Sequence, residues 1–242
     1  MKEIDAQGLH YRSLNKRLRE LIEEGEKRIL VRNVCGQRYI GGGIGEEVEI
    51  IIEGVPGNDL ASFMDGPRII VRGNAQDGVG NTLNRGEVII HGDAGDIVGY
   101  SMRGGRIFIQ GNVGYRVGIH MKAYKEFFPV VIVGGGAKDF LGEYMAGGLL
   151  VVLGLNGGEI TGDFVGTGMH GGTMFLRGEV EPARLGKEVK IGEVTPKDMS
   201  LLKGHIGDFC ACFDLDVEEI FQKPFSKIYP YSHRPYGTIY AY

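Results

Sequence analysis

The spacing of glycine is the feature of this sequence that most constrains its fold. Six glycines each end a short apolar run, at steps of 19, 19, 23, 20 and 24 residues: Gly73, Gly92, Gly111, Gly134, Gly154 and Gly178. A second column follows in the first five units, and a third column closes many of them: Gly80, Gly99, Gly118, Gly142 and Gly162, then Gly86, Gly105, Gly148 and Gly172. Columns that repeat at a nearly fixed period indicate a repeat architecture.

The repeat predicts an all-β fold, a single-stranded right-handed parallel β-helix of about 6–7 coils. Each unit opens with β-branched or aromatic residues, which favour strands. A unit of about 19 residues at about 3.3 Å per residue makes a loop of about 60 Å, which suits a three-sided coil. Glycine at the corners supplies positive φ angles. A degenerate earlier unit is expected at YIGGGIGEEVEIIIEGVPG (39–57), whereas propellers and leucine-rich repeats fit the pattern less well.

Strand alternation predicts which side chains face the interior of the coils. The residues two before each terminal glycine should stack inside: Val71, Ile90, Ile109, Ile132, Val152 and Leu176. The residues directly before it should face outward: Arg72, His91, Gln110, Val133, Leu153 and Arg177. Those three before it should also face outward, yet all are apolar: Ile70, Ile89, Phe108, Val131, Val151 and Phe175. Soluble proteins rarely expose such a stripe, so we expect a terminal segment of the chain, or else a partner, to cover it.

Both ends of the chain carry helix signals. Residues 12–25 predict an amphipathic helix ending at Gly25, with Leu14, Leu18, Leu21 and Ile22 on one face. Helix starts are expected at Thr195-Pro196-Lys197-Asp198 and at Asp216-Val217-Glu218-Glu219. The tail IYPYSHRPYGTIYAY (228–242) holds five tyrosines, which suits docking on another surface or, more simply, on its own body. We therefore divide the chain into an N-terminal helical cap (1–33), the β-helix (34–190) and a helical and tyrosine-rich docking tail (191–242).

The overall composition favours a cytoplasmic globular protein. A hydrophobic fraction of 43% allows a sizeable core, and a formal charge of −4 argues against a nucleic-acid partner. No apolar run approaches the roughly 20 residues of a membrane span, and the N-terminus lacks a signal-peptide pattern. Three cysteines make no disulfide framework, which suits a reducing compartment.

Residues with reactive side chains are scattered, and we interpret them as structural. Cys210 and Cys212 alternate with aromatic residues in FCACF and are expected to be buried thiols, as is Cys35. The histidines form no catalytic or metal-binding pattern: His10, His91, His120, His170, His205 and His233. Asp93 and Asp96 are a candidate carboxylate pair, but Asn74, Asp93 and Asn112 are better explained as a column whose side chains bond local backbone at turns.

Two glycine motifs and one insertion complete the candidates. GDAGDIVG (92–99) and GNVGYRVG (111–118) lack the G-x-G-x-x-G spacing and the following helix of a dinucleotide site, so they are interpreted as coil corners. The insertion IHMKAYKEFF (119–128) is the best local candidate for a contact, because insertions in solenoids map to loops on one face. We assign no catalytic, cofactor-binding or metal-binding residue to this chain.

The same motifs resemble a known family. The glycine motifs at 92–99 and 111–118, GEYMAGGLLVVLG (142–154) and GTGMHGG (166–172) are similar to the GXGXG domain. That domain forms the C-terminal part of the glutamate synthase large subunit and occurs in a formylmethanofuran dehydrogenase subunit. The resemblance covers roughly residues 30–180 and implies a right-handed β-helix. The sequence departs from the motif at Gln76 and Lys138, where a middle glycine is expected.

The resemblance implies a role without chemistry of its own. In glutamate synthase the glutaminase nucleophile, the FMN site and the iron–sulfur cysteines lie in other domains, and Met1 is followed here by Lys2 rather than by cysteine. The implied role is a scaffold subunit that holds glutaminase and FMN-binding synthase subunits together, with FMN and iron–sulfur clusters in those partners. The alternatives are a subunit of a molybdenum or tungsten formylmethanofuran dehydrogenase, and a free-standing β-helix binding module or enzyme. Homo-oligomerisation stays open.

Overall fold

The computed structural model describes residues 1–231 as a parallel β-solenoid of about seven turns, which confirms the predicted fold class. One sheet holds the strands in the order β1 to β9, then β11 and β10, and each neighbouring pair from β1 to β9 is parallel. The strands are β1 Lys2–Asp5, β2 Arg28–Cys35, β3 Glu49–Val55, β4 Asp65–Arg72, β5 Arg85–Ile90, β6 Arg106–Ile109, β7 Val130–Val133, β8 Ala146–Val152, β9 Gly171–Arg177, β10 Val189–Gly192 and β11 Phe225–Pro230. The helices are α1 Tyr11–Glu23, α2 Pro196–Phe213 and α3 Val217–Ile220, with a 3₁₀ turn at Pro182–Arg184.

Aliphatic columns fill the interior of the coils, largely as predicted. The column two residues before the terminal glycine faces the interior, and is buried there, in five of the six predicted coils: Val71, Ile90, Ile109, Val152 and Leu176. The fourth coil is the exception, because Ile109 pairs with Val133 and Phe108 with Ile132. Val131 and Val133 therefore face the interior, while Ile132 faces outward, which makes the prediction for this coil wrong by one residue. The register of this coil is ambiguous in the sequence because three glycines follow one another at 134–136. The structure shows that Gly135 is the terminal glycine.

The apolar column on the outside of the sheet is covered by the chain itself. Phe108, Ile132 and Phe175 are fully buried there with α2 residues, among them Phe209. The rings of Phe108 and Phe209 lie 5.8 Å apart in an edge-to-face arrangement. Ile206 and Phe213 of α2 and Ile220 of α3 complete this second core. Of the two expected covers, the C-terminal segment of the chain is the one found.

Both predicted helix starts near the C-terminus are confirmed. The Thr195 side chain caps α2 by accepting a hydrogen bond from the Asp198 backbone N–H, and the Asp198 side chain accepts one in return. Asp216 caps α3 through the Glu218 backbone N–H. The chain then returns as β11, antiparallel to β9. Of the predicted tyrosine-rich tail, residues 232–242 lie outside the described part of the chain.

Helix α1 covers the open N-terminal end of the solenoid. Its four predicted apolar residues, Leu14, Leu18, Leu21 and Ile22, are buried against the interior columns. The helix begins after His10, whose ring nitrogen accepts a hydrogen bond from the Arg12 backbone N–H, and it ends at Glu23, shortly before the predicted Gly25. Because α1 lies between β1 and β2 in sequence, it takes the place of the remaining sides of the first coil.

Asparagine and aspartate side chains connect successive coils at the corner after each strand. Asn74 accepts from the Asp93 backbone N–H at 2.9 Å, Asp93 from Asn112 at 2.6 Å, and Asn112 from Gly136 at 2.9 Å. The predicted column exists, but the prediction that its side chains bond local backbone is wrong, because each bonds the next coil. A second ladder runs alongside it through Asp77, Asp96 and Asp139. Asp93 and Asp96, the candidate carboxylate pair, thus belong to two different ladders.

The glycine columns have two distinct physical roles. At Gly111 the φ angle is not positive, but a Cβ atom would lie 2.2 Å from Asp93 Oδ1, so glycine is required by the close approach of the previous coil. At Gly99 the backbone has a φ of 70°, and a Cβ would point into the core at 3.2 Å from Val131. In the fifth repeat the residue of this second column is Gly166 rather than the predicted Gly162, whose position instead matches the middle glycine of the motif.

We predict that Gly111→Ala destabilises the protein by about 2 kcal/mol or more, because the added methyl group displaces Asp93 and the ladder bond that it makes. Unfolding in urea, followed by circular dichroism, gives the free energy of unfolding. Gly207→Ala is the matched control, since Gly207 lies within α2 with no atom within 4 Å of its Cβ position. Alanine there should stabilise the protein by about 0.5–1 kcal/mol. Equal stability of the two variants would contradict the close-approach interpretation.

Candidate interaction surface

The cysteines of the described chain are dispersed. Cys210 lies on the buried face of α2 and Cys212 of the same helix is half-buried, and burial raises the pKa of both thiols, which disfavours the reactive thiolate. Cys35 is exposed, so its predicted burial is wrong: it is the last residue of β2 and its side chain alternates outward from the buried Val34. Within residues 1–231, no group of three or more histidine, cysteine or acidic side chains is arranged to hold a metal ion.

Two histidines lie along the contact between α2 and the sheet. The His91 ring meets Phe213 edge-on at 5.1 Å, and desolvation, followed by the charge of Arg72, lowers the pKa of His91. Burial and then the charge of Arg106 lower the pKa of His205, although Asp208 acts in the opposite direction. Both environments therefore favour the neutral imidazole.

The part of the sheet face that α2 leaves uncovered carries two ladders of alternating charge. In the first, Arg28 contacts Glu49 at 2.6 Å, and Glu49 and Glu87 flank Arg68 at 3.6 and 2.8 Å. The ladder continues through Arg106, 2.8 Å from Glu87, to Asp208 of α2. The second ladder joins four residues on β1 to β4: Glu3, Arg32, Glu53 and Arg72. These charges already have partners, so this face offers few free groups to another molecule.

A different corner of the coil has an unusual backbone that exposes side chains. In each of seven successive coils, three alternate residues adopt the left-handed conformation: Tyr39/Gly41/Gly43, Asp59/Ala61/Phe63, Gly78/Gly80/Thr82, Ile97/Gly99/Ser101, Arg116/Gly118/His120, Phe140/Gly142/Tyr144 and Phe164/Gly166/Gly168. The middle position points inward, where a Cβ at Gly118 would lie 2.9 Å from Leu150, so it is glycine or alanine. The first and third positions point outward and accept large side chains, although the left-handed conformation costs about 1–2 kcal/mol for such residues.

Aromatic rings gather on the outside of this corner. We name as the aromatic corner the residues Phe63, Tyr100, Arg116, His120, Phe140, Tyr144 and Phe164. His120 stacks on Tyr144 at 5.2 Å, and Phe140 stacks on Phe164 at 4.9 Å. The Arg116 guanidinium lies 4.7 Å from the centre of the Phe140 ring and pairs with Glu143. Phe63 and Phe164 are 58% and 53% exposed, so the rings present an apolar surface to solvent.

Coil-to-coil hydrogen bonds hold this surface in position. The backbone N–H of His120 donates to Glu143 at 3.1 Å, and that of Tyr144 donates to Thr167 at 2.9 Å. Each strained residue is thus fixed by the coil that follows it, which is the condition under which such conformations persist. The exposed rings are held on a rigid frame, and a rigid apolar surface loses little conformational entropy when it binds a partner.

The insertion at 119–128 begins at the aromatic corner, since its second residue is His120. Tyr124 and Phe127 close its tip through two backbone hydrogen bonds, at 3.1 and 3.0 Å. Tyr124 and Phe128 are each 45% exposed, while the Phe127 side chain lies against the position that a Cβ at Gly104 would occupy. The predicted contact loop therefore adds two exposed rings beside the same corner.

The aromatic corner is not evident from the terminal glycine column, because its residues do not share one spacing from that column. The usable signal is the second glycine column, since each residue of the corner except Tyr100 stands two residues from one of those glycines or their equivalents. His120 stands two after Gly118, and Phe164 two before Gly166. The spacing of two at this corner comes from alternate left-handed residues in a turn. It is therefore not part of the alternation along the β-strands.

Comparison with known proteins identifies the family to which this chain is similar. The family model of the GXGXG motif matches residues 22–231. An uncharacterized protein of Methanocaldococcus jannaschii is 48% identical over 249 aligned positions, which cover 98% of this chain and 95% of that protein. Within residues 1–231, no helix has the length and hydrophobicity that crossing a lipid bilayer requires.

We predict that the free energy of unfolding falls as the pH drops from 7.5 to 5.5. Because the pKa values of His91 and His205 are lower in the folded protein, the unfolded chain binds protons first on acidification. Their contribution is complete above the unfolded value of about 6.5 and is lost below it. Urea titrations across this range should give a smaller loss for the double variant H91Q/H205Q. His170→Gln, at an exposed position, is the control and should keep the wild-type slope.

Proposed function

Because the chain belongs to the GXGXG-motif family, we propose that it is a non-catalytic scaffold subunit of a glutamate-synthase-type complex. In this proposal the chain holds a glutaminase subunit and an FMN-binding synthase subunit in one assembly. The complex serves glutamate biosynthesis and ammonia assimilation. FMN and iron–sulfur clusters are carried by the partner subunits, and the assembly works in the cytoplasm.

The aromatic corner is the observation that carries the proposal. It is an exposed apolar surface on a fold whose other large apolar stripe is already covered by α2. Exposed apolar surfaces of this kind often mark protein–protein contacts, and Tyr, Phe and Arg are enriched in such contacts. Stacked rings on a hydrogen-bonded frame suit a surface that must position two other proteins reproducibly.

The charge ladders support the same assignment of surfaces. On the uncovered part of the sheet face, arginine and glutamate side chains neutralise one another, which leaves little gain for a partner that would have to break them. At the aromatic corner, by contrast, a partner that covers the rings displaces only water from them, and the burial of their apolar surface is favourable. A scaffold with one neutralised face and one apolar corner would bind its partners mainly through the corner.

Affinity purification from the native cell tests the proposal. The tagged wild-type chain is expected to recover a glutaminase and an FMN-containing iron–sulfur protein, detected by mass spectrometry and by the flavin absorbance of the eluate. Reconstituted glutamate synthesis should require all three proteins. Recovery of a molybdopterin protein instead would assign the chain to a formylmethanofuran dehydrogenase. Glutaminase or synthase turnover by the purified chain alone would contradict a scaffold role.

We predict that Y100A/F164A, which removes two rings from the aromatic corner, reduces recovery of these partners at least tenfold. Truncation of a central aromatic residue at a protein interface typically costs about 2 kcal/mol or more. The matched control is Val55→Ala, which removes an exposed apolar side chain at the end of β3. Its recovery of partners should equal that of the wild type. If both variants bind alike and both remain folded by circular dichroism, the partners bind elsewhere.

A further inference from the structure

A cluster of cations without ionic partners lies at the N-terminal end of the solenoid. Of the exposed arginines within residues 1–231, most form an ion pair, including those of both charge ladders. Four do not: Arg12, Arg19, Arg38 and Arg103. The first three lie within or beside one groove, between α1 and the first left-handed corner. The chain is acidic overall, so this concentration of unpaired positive charge is local.

The groove has a volume of about 620 Å³ and is open along the surface. Arg12, Lys16 and Arg19 of α1 line it together with Tyr11 and Tyr39, whose ring centres are 5.9 Å apart. Glu20 and Glu23 also line it, so its cations outnumber its carboxylates by three to two; Lys16 and Arg17 both pair with Glu20. Arg38 stands beside the groove, where its carbonyl accepts a hydrogen bond from Asn15.

The position of Arg12 is electrostatically unfavourable for the isolated chain. The N-terminus of a helix carries a partial positive charge, and acidic residues usually occupy its first turn. The first turn of α1 has no acidic residue and instead carries Arg12. An anion bound in the groove would relieve this repulsion and would accept hydrogen bonds from the guanidinium groups.

We propose that this groove binds an acidic polypeptide segment of a partner protein. An enclosed pocket with oriented polar groups suits a small ligand, whereas this groove is open to solvent. Its one amide side chain, Asn15, already donates both of its protons, to the carbonyls of Tyr11 and Arg38. The guanidinium and ammonium groups of the groove are spread beside two tyrosine rings. This arrangement is complementary to a polypeptide segment in which carboxylate side chains alternate with apolar ones.

The groove is continuous with the aromatic corner. Tyr39 is the first residue of the left-handed column that continues through Arg116, Phe140 and Phe164. A partner that covers the rings can therefore extend a segment along this column, past Ile97, Gly78 and Asp59, into the groove. The inference rests on the proposed function only in assigning the acidic segment to a partner subunit, because the anion preference follows from the groove itself.

Fluorescence anisotropy with a fluorescein-labelled decaglutamate peptide tests the anion preference directly. At low salt the wild-type chain should bind the peptide, and R12Q/R19Q should raise the Kd at least tenfold. The control is Arg103→Gln, which removes one positive charge from an exposed arginine outside the groove that also lacks an ion pair. Its Kd should stay within twofold of the wild type. Equal weakening by R12Q/R19Q and Arg103→Gln would overturn the inference, as would no binding by the wild type.

Two further measurements decide the kind of ligand. Tripolyphosphate that binds more tightly than the peptide, and depends on Arg12 and Arg19, would overturn the polypeptide assignment in favour of a small phosphate ligand. The chain also carries its own exposed acidic run, at Asp214, Asp216, Glu218 and Glu219. Sedimentation equilibrium therefore compares the wild type, R12Q/R19Q and D216N/E218Q. Self-association that both variants abolish would assign the groove to a second copy and overturn the inference.

Purification from the native cell separates failure of this inference from failure of the proposed function. If R12Q/R19Q recovers the glutaminase and flavoprotein as well as the wild type does, the groove inference is overturned while the scaffold function stands. If the variant loses them while Arg103→Gln keeps them, the inference is supported. If the wild type recovers neither protein, the proposed function fails, and the peptide measurement alone decides whether the groove binds acidic polypeptide.

Discussion

Hydrogen bonding between successive coils is the interaction on which the rest of this structure depends. Parallel strands supply it along the sheet, and beyond the strands the side chains of Asn74, Asp93 and Asn112 continue it around the corner. The adjacent terminal glycines let the coils approach closely enough for these bonds. Because buried backbone groups must be paired, a coil that lost this register would leave polar groups unsatisfied along its whole circumference.

The stacked register also determines what the outer surfaces are able to do. Residues at one position of the repeat form a column, so the surface has stripes: an apolar stripe that α2 buries, charged stripes that neutralise themselves, and a corner of exposed rings. Of the exposed arginines within residues 1–231, four lack an ion pair, and three of these, Arg12, Arg19 and Arg38, lie in or beside the α1 groove. We therefore propose the corner and the groove as the partner contacts, because side chains of neighbouring coils act together there.

Much of the fold could be predicted from the sequence, and the errors have identifiable causes. The interior columns, the α2 start at Thr195 and the amphipathic face of α1 follow from local periodicity and capping residues. Ile132 and Gly162 were placed wrongly because glycine runs and insertions shift the repeat where several registers fit equally well. Cys35 was expected inside because cysteine is usually buried, but its place at a strand end left it exposed.

The sequence by itself determined the coil, since a glycine-bounded period with β-branched residues has few compact solutions. It also required that the outer apolar column be covered. Only the tertiary structure decided that α2 covers it, because that choice depends on contacts such as Arg106 with Asp208, separated by 102 residues in the chain. The aromatic corner and the α1 groove likewise depend on which coils and helix lie side by side. Long-range proximity leaves no local pattern from which it could be predicted.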